Sequence, residues 1–276
     1  MNTQKKHPII IPYDFTGVSD TAISHAARFS QISGNPLLIL NIIDESTGNY
    51  LKQHNQMDQF IHAKLKVLCK ETSAKFNIEV SFLIKKGNIL SIRKIADDLS
   101  ISFMFMGIDQ PHTNASKVMK VVCTSPAPVY VVQGNYEFAD PKYIIVPIDD
   151  FVETRQKVQC ATTCSKLFKA TIKLLSIKPT DKTQLFKQNV IVSQIERVLH
   201  EERVPFTFEY AKGKPADFAD ELLEFAQQVE SRIFVLMKTP RIFSPNKITA
   251  IDKKVLLNSQ NIPAFYVNPR DVGRYY

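Results

Sequence analysis

This chain repeats itself, and the repeat limits what it can fold into more than any other feature. Ile9-Ile10-Ile11-Pro12-Tyr13-Asp14 near the start returns as Ile144-Ile145-Val146-Pro147-Ile148-Asp149, 135 residues further on. Pro126-Ala127-Pro128-Val129-Tyr130-Val131-Val132 returns at the same spacing as Asn261-Ile262-Pro263-Ala264-Phe265-Tyr266-Val267. Two landmarks at one spacing, one at each end of a unit, point to a duplicated domain. A chain of 276 residues has room for two domains, since single domains commonly run to about 100–150 residues. Its hydrophobic share of 44% suffices for two cores.

The interior of each copy follows the same plan. After the opening apolar run comes a helical pattern, Thr21–Ser30 in the first copy and Val158–Phe168 in the second. A short apolar run follows at Leu37–Ile43, matched by Thr171–Ile177. A long polar helix comes next, expected over Tyr50–Phe76 in the first copy, then a strand near Glu79–Ile84 or Phe206–Tyr210. Gly87 and Gly213 each precede a further helix, and Phe103–Met106 and Ile233–Met237 read as the fourth strands. Strands alternating with helices, and strands that are continuously apolar rather than alternating, mean a parallel sheet covered on both faces. Right-handed crossovers make it doubly wound. The expected fold class is therefore α/β, as two tandem five-stranded Rossmann-type sheets. The expected domains are residues 1–134 and 141–276, joined through the polar Gly- and Pro-bearing stretch Gln133–Pro141. In such sheets ligands bind beyond the carboxyl ends of the strands, where the winding reverses. Asp14 and Asp149 end the first strands and belong beside that crevice.

These same features resemble the universal stress protein family across nearly the whole chain. The carriers are the opening strand with Pro and terminal Asp, the glycine before the third helix, Met106-Gly107 ending the fourth strand, and the closing Pro-x-Pro-Val-x-Val-Val strand. The resemblance implies an adenine-nucleotide α-hydrolase-like fold and a role in the stress response. It also implies pairing through the fifth strands: Val129–Val132 and Ala264–Val267 would meet within one chain as a pseudo-dimer, with a homodimer of chains as a further option. ATP-binding members carry a loop after the fourth strand of the form Gly, two residues, Gly, nine residues, Gly, then Ser or Thr. Glycines let backbone N–H groups approach phosphates, and the following helix N-terminus favours negative charge. The aspartate ending the first strand and the backbone ending the second, here Asp14 and Ile42, would hold the adenosine.

Measured against that pattern, the first copy keeps Asp14, Gly107 and Ser116 but has Gln110 at the second glycine position, and its loop is about five residues short. Asn114, Ser116 and Lys117 could supply donors and charge to an anion at the helix start; alternatively Asn114 or Ser116 caps that helix. ATP or another adenine nucleotide is thus a candidate ligand of the first copy only. The second copy's loop has Lys238 at the first glycine position, with Pro240 and Pro245 removing backbone donors. Another ligand, held through Lys238 and Arg241, is the option there.

A net charge of +8 suits a nucleotide or other anionic small molecule. The lysines are dispersed, with no recognition helix or aromatic stacking motif, which argues against nucleic acid. Without a long apolar run or a signal-peptide core the expected site is cytoplasmic, with no membrane partner. Cys160 and Cys164 share a helical face, with no further Cys or His nearby to complete a metal site. No catalytic motif is present; His25 reads as packing and His112 lies in the altered loop. The leading expectation is a non-catalytic binding and signalling module with a protein partner. The alternatives are a weak nucleotide hydrolase and a scaffold or small-molecule carrier without nucleotide.

Overall fold

A computed structural model describes residues 6–44, 58–109, 112, 114–148, 154–238 and 249–269. The chain divides into two compact units, Met1–Phe138 and Ala139–Tyr276. Unit 1 runs β1 (Ile9–Pro12), α1 (Gly17–Ser33), β2 (Leu37–Ile43), α2 (Asp58–Phe76), β3 (Val80–Lys86), α3 (Ser91–Leu99), β4 (Phe103–Ile108), α4 (Ala115–Val122) and β5 (Val129–Gln133). Unit 2 repeats the order with β6 (Tyr143–Pro147), α5 (Thr154–Phe168), β7 (Thr171–Ile177), α6 (Lys182–Glu201), β8 (Phe206–Ala211), α7 (Phe218–Gln228), β9 (Phe234–Met237), α8 (Ala250–Leu256) and β10 (Ala264–Val267). The part of the expected long helix before Asp58, residues 50–57, lies outside the described residues.

Each unit is the doubly wound sheet expected. In unit 1 the strands lie in the order β3-β2-β1-β4-β5, and in unit 2 β8-β7-β6-β9-β10, every pair parallel. The chain of unit 1 winds outward from β1 to β3 and then returns to β4 on β1's other side, so the winding reverses between β1 and β4. The central strands are buried on both faces: Ile9, Ile10 and Ile11 are fully buried, and so are Ile144, Ile145 and Val146.

Local chemistry sets the helix that faces this core. Thr16 caps α1, its side chain accepting the Ser19 N–H, and Gly34 ends the helix at φ 71°, its N–H returning to Ser30 O. The duplication extends to side-chain bonds. Ser30 Oγ donates to Asn35 O at 2.6 Å, and Ser165 Oγ, its partner in the repeat, donates to Ala170 O at 2.5 Å. Asn41 Nδ2 donates to Tyr13 O, and Ser176 Oγ to Ile148 O, both at 2.8 Å.

All four cysteines are buried thiols outside any disulfide. Burial pushes the Cys69 thiol up to about 11, and pushes Cys164 well above its ordinary value with a further rise from its bond with Cys160. These are protonated, unreactive thiols. Among the described residues no helix is long and apolar enough to cross a membrane.

Candidate functional site

The sheet order brings Asp14, Ile42 and Gly107 to the carboxyl ends of three neighbouring strands, since β1 lies between β2 and β4. Asn114, Ser116 and Lys117 stand at the start of α4, just beyond β4. The expected crevice residues of unit 1 therefore converge on the reversal point. What each one does locally decides what the crevice can hold.

Asp14 is exposed, and its Oδ1 already accepts three bonds: Thr16 Oγ1 at 2.6 Å, Ser19 Oγ at 2.6 Å and Thr16 N at 3.2 Å. The carboxylate fastens the turn between β1 and α1. Ile42 is half-buried on β2, beside a buried Asn41 whose Oδ1 has no donor among the described residues. Ordered water is the usual partner of such a group.

Gly107 has a specific packing reason to be glycine. A Cβ added there would lie 2.6 Å from Val18 O and 2.7 Å from Val18 Cγ2. The first turn of α1 rests directly on the β4 backbone, and any side chain would push it off.

Asp109 and Asn114, on either side of the short segment after β4, are bonded to each other. Asp109 Oδ1 accepts the Asn114 N–H at 2.9 Å, and Asn114 Oδ1 accepts the Asp109 N–H at 3.1 Å. Asn114 Nδ2 also donates to Gly107 O at 3.3 Å. Asn114 makes no side-chain cap to α4, unlike the capping role open to it from sequence; its amide is spent on the strand end instead. Ser116 and Lys117 are exposed on the first turn of α4. Asn114→Ala is expected to cost about 2 kcal/mol in urea unfolding, because it leaves the Asp109 N–H and Gly107 C=O without these partners.

The two histidines singled out in the sequence are both in structural bonds. His112, at φ 71°, places Nε2 3.0 Å from Oε1 of the buried Gln133. His25 is 1% exposed, with Nδ1 3.0 Å from the Tyr130 hydroxyl and Nε2 2.8 Å from Tyr136 O. Burial lowers its pKa to about 4, partly offset by the backbone bond.

In unit 2, Asp149, Pro240, Arg241 and Pro245 lie outside the described residues. Lys238 donates its backbone N–H to Val267 O. Two strand-end carbonyls of this unit accept bonds from its own side chains. Lys157, 1% exposed, donates from Nζ to Pro147 O at 2.5 Å. Gln188 Nε2 reaches Ser176 Oγ at 2.7 Å and Ile177 O at 3.0 Å. Sequence reasoning missed Lys157 and Asp109. Lys157 had a legible signal, because it stands on the same 3.6-period stripe as the buried Ala161 and Cys164. Asp109 had only its position, two residues past the strand-end glycine.

No protein-family model matches the chain, and no curated protein does. Solved structures do. A universal stress protein from Archaeoglobus fulgidus DSM 4304 is 14% identical with a TM-score of 0.72, over 96% of this chain and 97% of that one. A functionally unknown protein from Pseudomonas aeruginosa PAO1 is 16% identical with a TM-score of 0.68, over 96% and 94%. A protein from Pseudomonas aeruginosa UCBPP-PA14, described as a candidate universal stress protein, is 17% identical with the same TM-score and coverage. The likeness is one of fold, and it runs through both units.

Proposed function

We propose that this chain, which has the fold of a tandem universal stress protein, belongs to that family and serves as a non-catalytic binding and signalling module of the stress response. Its nucleotide site is degenerate in unit 1 and absent in its usual form from unit 2. The reciprocal Asp109–Asn114 closure carries this reading. A phosphate would need the N–H groups at the start of α4 free and a positive field around them. The chain instead directs its own carboxylate to the Asn114 N–H, just ahead of that helix. A second anion there would meet like charge. Gly107 is accounted for by Val18, and Asp14 by the turn it fastens. In unit 2 the ammonium of Lys157 and the amide of Gln188 occupy strand-end carbonyls that face the crevice in this fold.

The test is a thermal melt with and without excess MgATP, MgADP and AMP. A site filled at 100-fold over its Kd adds about 2.7 kcal/mol, which moves a domain's melting temperature by several degrees. The expected shift is below about 1 °C for every nucleotide, on that same scale. A shift of several degrees that Asp14→Ala abolishes would overturn the reading and make unit 1 a rebuilt nucleotide site.

A further inference from the structure

Beside the strand-end crevice, unit 1 carries a surface slot of about 330 Å³ between the turn after β1 and helix α2, lined in part by Tyr13, Phe15, Phe60, Lys64, Val67 and Glu71. Three apolar side chains around it face solvent: Phe15 is 37% exposed, Phe60 48% and Val67 55%. Phe15 reaches its place at a cost, because its backbone has φ 63°, a left-handed conformation that an aromatic residue rarely takes. The bonds to Asp14 on either side of it hold that turn. An edge contact with the Tyr13 ring, centroid to centroid 5.0 Å, holds the Phe15 ring in place, and more than a third of the residue still faces solvent.

The slot is polarised as well as apolar. Lys64 Nζ stands 4.5 Å from the centre of the Phe60 ring and 5.5 Å from that of Phe15. Among the described residues it has no carboxylate partner. Glu71 is two turns further along the same helix face, about 10 Å away by helix rise, too far to neutralise it. One end of the slot is thus cationic between two rings, and the other is acidic. Tyr13, 7% exposed, turns its hydroxyl away to Asp20 at 2.6 Å and leaves its ring to the slot.

We propose that this slot binds a small planar aromatic carboxylate. The ring lies among Phe15, Phe60 and Val67, the carboxylate pairs with Lys64, and a donor group such as a hydroxyl suits the Glu71 end. The volume is at the low end for small-molecule sites, which fits one or two fused rings and excludes a peptide helix. An ammonium held over aromatic faces is partly stripped of water, which strengthens its pairing with an anion. The site adjoins the strand-end crevice, because Tyr13 and Phe15 flank Asp14, but its cation and two of its walls come from α2, so it does not require a nucleotide site there.

The test is calorimetric titration of the full chain with 2-naphthoate and with its uncharged analogue 2-naphthamide. The expected result is saturable one-site binding of the acid, with the amide at least about tenfold weaker, or about 1.4 kcal/mol. Lys64→Gln is expected to bring the acid down to the level of the amide, and Phe60→Ala to weaken both. Both residues are exposed, so unchanged melting temperatures will show that the variants fold. Absence of saturable binding at millimolar naphthoate would overturn the proposal, and so would equal affinity for acid and amide. Displacement by AMP with Lys64→Gln without effect would place the naphthoate in the strand-end crevice, and would overturn it too.

Discussion

Gly107→Ala is expected to destabilise the protein by about 3 kcal/mol, at the upper end of what overpacking costs in a close-packed interior. The added methyl would sit 2.6 Å from a helix carbonyl, Val18 O, and 2.7 Å from Val18 Cγ2. A carbonyl in the first turn of α1 cannot rotate aside, so the helix itself must lift from β4, and the buried contacts of Ala22, Ala26 and Phe29 behind it loosen in turn. Gly213→Ala is the informative control. Its Cβ would lie even closer to a neighbour, 1.8 Å from Glu221 Oε1. That neighbour is the far end of a flexible side chain whose bond to the Lys212 N–H is exposed. Glu221 can swing away, and the expected cost is below about 1 kcal/mol. Urea unfolding of the two variants beside the parent measures both. A Gly107→Ala protein as stable as the parent would mean that α1 does not rest on this strand, and would return Gly107 to the list of residues free to serve a ligand.

Acidification is expected to remove about 3 kcal/mol of stability between pH 6.5 and pH 4, through His25 alone. The ring is neutral in the folded protein: Nε2–H donates to Tyr136 O, and Nδ1 accepts from the Tyr130 hydroxyl. Its surroundings are Phe29, Phe138 and the two tyrosines, with Phe138 packed edge-on at 5.0 Å. Burial among these rings lowers its pKa from 6.5 to about 4. In that interval the unfolded chain takes up a proton that the native state refuses. The stability is therefore present in full above pH 6.5, falls as the pH drops, and stops falling near pH 4, where the native ring also protonates. His25→Gln keeps a polar side chain but cannot titrate. It is expected to be less stable at pH 7 and to show a flatter pH dependence in this window, the carboxylate contributions being common to both proteins. Parallel curves for parent and variant, from urea midpoints between pH 7 and pH 4, would mean that His25 is not a buried neutral base.

The β-α alternation was legible because it is written locally. Ile9–Ile11 and Val129–Val132 are continuous apolar runs, and only a strand covered on both faces tolerates them. The spacing of 135 residues then carried each assignment from one copy to the other. It also holds at a finer level than the strands, in the serines at positions 30 and 165 and the polar pair at 41 and 176. The crevice was legible only as a place. Asp14 and Gly107 could be put beside it by counting strands, but their partners could not. Thr16 and Ser19 both bond to Asp14 through a turn geometry that composition does not reveal. The slot between Phe15 and α2 left no trace in the sequence, since it joins residues about fifty positions apart along the chain.

Sequence alone determined the duplication, the α/β class, the winding of each sheet and the end of the sheet at which a ligand would sit. All of these follow from periodicity and order along the chain. Tertiary structure decided what the retained residues touch. A glycine at a strand end is required equally by a phosphate that must approach the backbone and by a helix that must do so, because either one excludes a Cβ. Likewise an Asp and an Asn five residues apart can cradle an anion or bind each other. The close approach of Gly107 to Val18, and the reciprocal bonds between Asp109 and Asn114, are contacts between segments that the order of residues along the chain does not supply.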